Sequence, residues 1–124
     1  MKNCNDFSML LTSFLSKHLP GQRNVSTNTI ISYRDNFKLF IRYCMDVQGI
    51  SLKNLQMQCI DRAMVLKYLG WLEKDRGCSV STRNQRLAAF KSFFHYVSSE
   101  NPEYLFQCQQ IISIPMKKTA SKVM

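Results

Sequence analysis

Hydrophobic residues recur every three or four positions along most of the chain, and this spacing predicts amphipathic helices. Four longer segments show it, at about residues 6–18, 26–48, 61–75 and 79–99, and a short fifth follows at about 103–110. No segment alternates between polar and apolar residues as a half-buried strand does, so the sequence predicts an all-α fold. The positions predicted to face the core are Phe7, Leu10, Leu11, Phe14, Leu15, Ile30, Tyr33, Phe37, Phe40, Ile41, Cys44, Val47, Val65, Leu66, Leu69, Leu72, Leu87, Phe90, Phe93, Phe94, Tyr96 and Val97.

Residues that start and stop helices separate these segments. Gly21, Gly49 and Gly77 each stand where a helix is expected to end. The side chains expected to cap helix N-termini are Asp6, Ser26 or Thr27, Asp61, and Ser79 or Ser81.

Two irregular stretches interrupt the helical pattern. Residues 50–60 are predicted to form a loop with one helical turn at Leu52–Leu55. Gly70 lies in the middle of the third segment, where glycine costs about 1 kcal/mol relative to alanine. Gly70 indicates either a close contact with another helix or a glycine that the helix simply tolerates.

The length of 124 residues is that of one domain. We expect residues 1–112 to form it and residues 113–124 to be a linker. No apolar run approaches the roughly 20 residues that a membrane span needs, and the N-terminus lacks a signal-peptide cleavage pattern. We therefore expect a cytoplasmic protein that has no membrane partner.

The cysteines and histidines argue against a metal site. The five cysteines, Cys4, Cys44, Cys59, Cys78 and Cys108, are odd in number and form no C-x-x-C pair, which predicts free thiols. Neither histidine has ligand spacing to a cysteine, and no nucleotide-binding or hydrolase motif occurs. We expect no metal, no cofactor and no small-molecule substrate.

Charge gives the first indication of function. Seventeen Lys and Arg against eight Asp and Glu leave a net charge of +9, which attracts polyanions such as nucleic acid. Basic surfaces also serve solubility, so net charge alone does not decide between these two explanations.

The fourth segment concentrates this charge. From Arg76 to Ser99 the chain has four basic residues and no acidic one. A helical wheel places a polar face opposite its core stripe, suited to a major groove about 12 Å wide, where amides read base edges and cations meet phosphates. The residues predicted to contact DNA here are Ser81, Thr82, Arg83, Asn84, Arg86 and Lys91.

Two alternatives stay open for this segment. Arg83 and Arg86 project nearer the apolar stripe, so they would instead lie around the rim of the core or pair with a carboxylate such as Asp61 or Asp75. His95 is expected to be an exposed or hydrogen-bonded histidine rather than a ligand or general base.

The second segment offers a further candidate surface. Asp35 and Asp46 dilute its charge, so a solvated face is nearly as well supported as a DNA contact. The residues predicted to contact DNA here are Thr27, Asn28, Ser32, Lys38 and Arg42, with Arg34 at the border.

The order of these landmarks resembles the N-terminal core-binding, or SAM-like, domain of tyrosine recombinases, which include phage and transposon integrases and Xer-type recombinases. The resemblance spans most of the chain. Its positions are Ser26, Thr27, Thr29, Tyr33, Phe37, Phe40, Leu52, Leu55, Val65, Tyr68, Leu69, Leu72, Ser81, Thr82, Arg83, Asn84, Arg86, Leu87, Phe90, Lys91, Phe93, Phe94, Tyr96 and Asn101-Pro102.

The resemblance implies an orthogonal bundle of four main helices, with a short fifth helix, that forms one half of a clamp around double-stranded DNA. It implies that neighbouring recombinase protomers on DNA are partners, with the first helix docked on one of them and Phe7, Leu11 or Phe14 partly exposed. It also implies that residues 113–124 lead towards a C-terminal catalytic domain, which in that family supplies arginines, a lysine, a His/Trp pair and a nucleophilic tyrosine.

That catalytic set is not recognisable in this chain, so we expect the chain to be no enzyme by itself and its parent protein to be a tyrosine recombinase. Two other classes fit the composition. One is a helical protein-interaction module whose basic face meets an acidic partner, and the other is a helix-turn-helix regulator that binds DNA without cutting it.

Overall fold

A computed structural model describes residues 6–22 and 24–118, and over these residues the chain is helical and has no β-strand. The all-α prediction is confirmed, as are four longer helical segments and a short fifth. The helices are α1 (Asp6–Ser13, continued by a π-helical turn Phe14–His18), α2 (Thr27–Asp46), α3 (Arg62–Lys74), α4 (Val80–Glu100) and α5 (Leu105–Ile112). Short 3-10 turns lie at Leu52–Asn54, Met57–Cys59 and Pro102–Tyr104.

The chain divides into two compact units, which meet in sequence between Asp61 and Arg62. The first unit holds α1, α2 and the two 3-10 turns that follow them. Its buried side chains are Phe7, Leu11, Phe14, Leu19, Asn36, Phe37, Phe40, Tyr43, Cys44, Leu55, Met57 and Ile60. Phe14 stacks on Tyr33 with ring centroids 6.4 Å apart, which ties α1 to α2.

The loop of the first unit contains a turn that the sequence did not predict. The second 3-10 turn buries Met57, and the backbone N–H of Met57 donates to the carboxylate of Asp6 at 3.2 Å. Asp6, predicted as the N-cap of the first helix, is itself a helical residue of α1. Its carboxylate therefore joins the start of α1 to the loop, 51 residues along the chain.

The N-termini of α2 and α4 have the same serine cap. Ser26 Oγ accepts a hydrogen bond from the N–H of Thr29 at 3.1 Å, and Ser79 Oγ accepts one from the N–H of Thr82 at 3.1 Å. Each bond satisfies one of the amides that a helix start leaves without a partner. The caps fix where both helices begin, and each is one of the two residues predicted for its position.

Glycines close α2 and α3 in the left-handed conformation. Gly49 has a φ of 71° and Gly77 a φ of 67°, which glycine adopts without steric cost. The amide after each glycine donates back to the preceding helix, Ile50 to Cys44 and Cys78 to Leu72, both at 2.9 Å. The predicted ends of these helices are confirmed.

The second unit is built around α4, against which α3 and α5 pack. Tyr68 of α3 meets Phe90 of α4 edge to face, with ring centroids 5.6 Å apart. The buried residues of this unit are Val65, Tyr68, Leu69, Leu72, Arg83, Leu87, Ala89, Phe90, Phe93, Phe94, Val97, Tyr104, Cys108, Ile111 and Ile114.

Several local predictions were wrong. Val47 and Leu66, predicted to be in the core, are exposed. Of the two explanations left open for Gly70, a tolerated glycine is favoured over a close helix contact, because a Cβ added there would meet no heavy atom of the described residues within 4 Å, its own helix backbone apart. Phe7, Leu11 and Phe14 are all buried, so their predicted core position is confirmed, and the partial exposure that the resemblance implied for one of them is wrong. Met9 of α1 is exposed.

The cysteines within the described ranges, Cys44, Cys59, Cys78 and Cys108, are free thiols, as predicted, and Cys4 lies outside those ranges. Burial raises the pKa of Cys44 to about 12, with a smaller contribution from nearby Cys59. Burial also raises the pKa of Cys108 to about 11. Both thiols are therefore protonated and unreactive near neutral pH.

Candidate nucleic-acid interface

The start of α4 presents hydroxyl groups to solvent. Ser81 is exposed, and Thr82 is half-buried with its hydroxyl 3.2 Å from the Oγ of Ser79. Ser79 and Thr82 therefore use part of their hydrogen-bonding capacity on each other. Ser81 keeps a solvent-facing hydroxyl at the positive end of the helix dipole, where a phosphate is favoured.

Arg83 lies in the interior rather than on the surface. Only 5% of the residue is exposed, and its Nη1 donates to Asn84 Oδ1 at 3.0 Å and to the carbonyl oxygen of Pro115 at 3.3 Å. Its Nε is buried without a hydrogen-bond partner among the described residues. Both acceptors are neutral groups rather than the carboxylates considered from the sequence. The guanidinium thus has a role inside the fold, and its contact with DNA stays a prediction.

Asn84 is half-buried, and both of its polar atoms are engaged. Nδ2 donates to the carbonyl oxygen of Lys117 at 2.8 Å, and Oδ1 accepts from the N–H of Lys117 at 3.0 Å. Oδ1 also accepts from Arg83 Nη1, so both of its lone pairs are used, whereas Nδ2 keeps one further N–H.

The remaining predicted residues of α4 reach solvent. Arg86 and Lys91 are half-exposed, and both project from a helix stretch that has no acidic residue before Glu100. His95 is exposed, one of the two states predicted for it. The solvent-facing side of α4 is completed by half-buried Ala88 and Ser92 and by exposed Gln85.

All five residues predicted on α2 are exposed, namely Thr27, Asn28, Ser32, Lys38 and Arg42. Thr27 and Asn28 lie in its first turn, directly after the Ser26 cap. The two acidic residues of α2, Asp35 and Asp46, are exposed as well, so the helix surface is of mixed charge.

Part of the α2 surface forms an open groove of about 470 Å³. Lys38 and Arg42 line it together with apolar Ile41 and Met45 and with Asp46. These residues follow one another at helical spacing, so one face of α2 carries both cations and the apolar patch.

Two residues that sequence reasoning did not select also take part in the surroundings of α4. Lys117 Nζ forms an ion pair of 2.8 Å with Glu73 Oε1, and the Lys117 backbone meets Asn84. Nothing in the sequence around Asn84 or Glu73 indicates these contacts, because Lys117 lies 33 and 44 residues further along the chain. Only the fold brings residues 114–117 to α4.

The described residues contain no group of three His, Cys, Asp or Glu side chains placed to hold a metal ion. Within residues 6–22 and 24–118, no helix combines the length and the apolar character that crossing a bilayer requires. What the described surface offers is hydroxyl, amide and cationic groups, which bind phosphate and base edges by hydrogen bonds and charge.

Comparison with known proteins identifies relatives. Residues 11–101 match the family described as phage integrase, N-terminal SAM-like domain. Two proteins of Sinorhizobium fredii (strain NBRC 101917 / NGR234) are similar: "Putative integrase/recombinase y4rD" is 34% identical over 92% of this chain, and "Putative integrase/recombinase y4rC" is 38% identical over 88%. The aligned region spans 41% and 33% of those proteins, respectively. No solved structure matches the chain significantly.

The family match covers most of the chain, and it includes the helices α2, α3 and α4, the π-helical turn and the last three residues of α1. The chain belongs to the family of phage integrase N-terminal SAM-like domains.

Proposed function

We propose that this chain is the core-site-binding domain of a tyrosine recombinase and that it holds duplex DNA while a separate catalytic domain exchanges strands. The observation that carries the proposal is the solvent-facing side of α4, where Arg86 and Lys91 reach solvent in a stretch without any acidic residue from Arg76 to Ser99. An acid-free cationic helix face binds the phosphates of DNA by releasing condensed counterions.

The contact residues proposed on α4 are Ser81, Thr82, Arg86 and Lys91. Ser81 and the first-turn amides meet a phosphate at the helix start, and Lys91 meets a second phosphate about three turns further along. Arg83 and Asn84 act on this surface indirectly, because their polar atoms bind the segment around Lys117.

The α2 residues Thr27, Asn28, Ser32, Lys38 and Arg42 form a second proposed contact surface. Their exposure supports the assignment, and the exposed Asp35 and Asp46 weaken its net charge. We therefore assign α2 a smaller share of the binding free energy than α4.

The length of the relatives supports the proposal that a separate catalytic domain accompanies this one. Because the aligned region is 41% and 33% of their length, those integrase/recombinase proteins have room for a further domain. The parent protein of this chain is proposed to be a tyrosine recombinase that acts on DNA in the cytoplasm, with neighbouring protomers bound to the same DNA. A helix-turn-helix regulator would lack the catalytic arginines and tyrosine in its remaining sequence.

Fluorescence anisotropy with a labelled duplex tests the binding. We expect a Kd of roughly 10⁻⁴ to 10⁻⁶ M, as for non-specific binding, which weakens as salt is raised. Lys91→Glu is expected to weaken binding at least several-fold. It is also expected to reduce the slope of log Kd against log salt concentration by about one, as for the loss of one phosphate contact.

Lys53→Glu is the matched control, since it makes the same change in net charge at an exposed residue outside both proposed surfaces. Equal loss of affinity in Lys53→Glu and Lys91→Glu would show that net charge, rather than the α4 surface, drives binding. Absence of duplex binding at low salt, together with capture of polyglutamate, would favour the protein-interaction alternative.

A further inference from the structure

The segment that follows α5 lies against the start of α4. Residues 114–117, here called the C-terminal strap, begin with Ile114, which is 1% exposed and whose N–H donates to the Ile111 carbonyl at 3.1 Å. An isoleucine buried to this degree contributes about 1.5–3 kcal/mol of transfer free energy relative to an exposed one. The first residue of the strap is thus anchored in the core of the second unit.

The last residue of the strap is held by a reciprocal pair of hydrogen bonds. Asn84 Nδ2 donates to the Lys117 carbonyl at 2.8 Å and Asn84 Oδ1 accepts from the Lys117 N–H at 3.0 Å. The side-chain amide of Asn84 binds both backbone groups of one residue, as a neighbouring β-strand would. Glutamine is too long and aspartate lacks the donor, so this two-way pairing is specific to asparagine at position 84.

Arg83 holds the middle of the strap. Its Nη1 donates to the Pro115 carbonyl at 3.3 Å and to Asn84 Oδ1 at 3.0 Å, while the residue is 95% removed from solvent. A buried charge is costly unless it is hydrogen-bonded. If the strap left, the guanidinium would lose one of its two acceptors, so the burial of Arg83 and the docking of the strap favour each other.

An ion pair adds a fourth attachment at the surface. Lys117 Nζ lies 2.8 Å from Glu73 Oε1, with side-chain exposures of 50% and 23%. Exposed pairs contribute little to stability, so this contact is secondary to the two made by Asn84.

We propose that Asn84, Arg83 and Glu73 form a clasp that holds the C-terminal strap on α4 and fixes the direction in which the chain leaves this domain. They are positioning residues. A linker starting directly after α5 would sample many directions, whereas the clasp removes this freedom up to Lys117. The consequence of the clasp for the parent protein rests on the proposed function. A catalytic domain that follows the strap would be attached at a defined point beside the DNA-binding face.

Amide hydrogen exchange by NMR on the 124-residue chain tests the clasp without DNA, so the outcome is independent of whether the chain binds DNA. In Asn84→Ala the Lys117 N–H loses its acceptor, and we expect it to exchange roughly 5- to 30-fold faster, as for one to two lost hydrogen bonds. Amides in the middle of α4, such as those of Phe93 and Val97, are expected to keep their rates. Asn84→Asp keeps the acceptor for the Lys117 N–H and is expected to restore most of its protection.

Gln85→Ala is the matched control, because Gln85 is an exposed neighbour on the same helix. Unchanged exchange of Lys117 in Asn84→Ala would overturn the proposal, and so would acceleration of the α4 core amides by the same factor as Lys117. If Asn84→Ala loses helicity, Asn84→Gln provides the second variant, because its longer side chain cannot pair with both backbone groups of Lys117. A selective increase in Lys117 exchange there supports the clasp, and no increase there counts against it.

Discussion

The guanidinium of Arg62 donates a hydrogen bond of 2.8 Å to the backbone carbonyl oxygen of Gln110, which lies 48 residues later in the chain. The same nitrogen is 3.0 Å from Ser113 Oγ, which itself donates to the Gln110 carbonyl at 3.0 Å. Arg62 therefore places a positive charge at the C-terminal end of α5, where the helix dipole favours cations. The first residue of α3 thereby holds the last turn of α5.

Removing this contact should destabilise the second unit. We expect Arg62→Ala to lower the free energy of unfolding by about 1 kcal/mol, because the bond is charge-assisted but lies near solvent. Urea unfolding followed by circular dichroism measures the change. Lys67→Ala, at an exposed lysine of the same helix, should change stability by less than about 0.5 kcal/mol. Equal effects of both substitutions would show that Arg62 acts only through its charge.

Two phenylalanines that differ in burial should lose very different amounts of stability when truncated to alanine. Phe90 is fully buried against Tyr68, so Phe90→Ala is expected to cost about 3–5 kcal/mol, a large part of the stability of a small domain. Phe106 is 75% exposed, and Phe106→Ala should change stability by no more than about 0.5 kcal/mol. Thermal unfolding of both variants checks the pair. A large loss in Phe106→Ala would mean that its ring is covered in solution.

Alanine substitutions at two glycines should have opposite signs. Gly70 lies inside α3 with open space where a Cβ would stand, so Gly70→Ala is expected to stabilise the protein by about 1 kcal/mol. Gly77 has a φ of 67°, so Gly77→Ala forces a strained conformation and is expected to destabilise by about 1 kcal/mol. Urea unfolding curves of both variants give the two changes in the free energy of unfolding. Destabilisation by Gly70→Ala would reveal a close contact at that position.

The thiols should differ in reactivity. Cys59 is exposed, whereas burial raises the pKa of Cys44 to about 12 and that of Cys108 to about 11. At pH 8 we expect Cys59 to react promptly with a thiol reagent, and Cys44 and Cys108 to react only when the protein unfolds. Mass spectrometry of the labelled peptides identifies the sites. Fast labelling of Cys44 in the folded protein would contradict its burial.

The same pKa shift predicts how stability changes in alkali. The pKa of Cys44 in the folded protein lies above its ordinary value of 9.0. The stability that the protonated thiol contributes is therefore fully present below pH 9. Between pH 9 and pH 12 the unfolded chain binds fewer protons than the folded one, so this part of the free energy of unfolding declines as the pH rises. Urea unfolding between pH 8 and 10.5 should therefore show a shallower loss of stability in Cys44→Ala than in the unsubstituted protein. Parallel losses would exclude Cys44 as a source of the pH dependence.

The helices were predictable because each depends on local signals. The spacing of Phe37, Phe40 and Cys44 and the serine cap at Ser26 are contained within α2 itself, and the structure places that helix within two residues of its predicted ends. Gly49 and Gly77 marked helix ends for the same reason, since positive φ values favour glycine wherever they occur.

Features that depend on distant partners were not predictable. Nothing near Met57 in sequence indicates that its amide will meet Asp6, and nothing near Asn84 indicates that Lys117 will pair with it. Arg83 illustrates the limit for the candidate site. The sequence left open whether it contacts DNA, lies at the rim of the core or pairs with a carboxylate, and only the fold shows its burial and its bond to the Pro115 carbonyl. Surface charge was visible from the sequence, whereas the burial of individual cations required the fold.

Helix α4 is buried along one side over most of its length, with Leu87, Ala89, Phe93 and Val97 all buried. A helix gripped in this way cannot rotate about its axis or fray without disturbing the core of its unit. Its outward-facing side chains therefore stand on a rigid support before any ligand arrives. A rigid support lowers the entropy lost on association, so a binding partner meets a surface that needs little rearrangement.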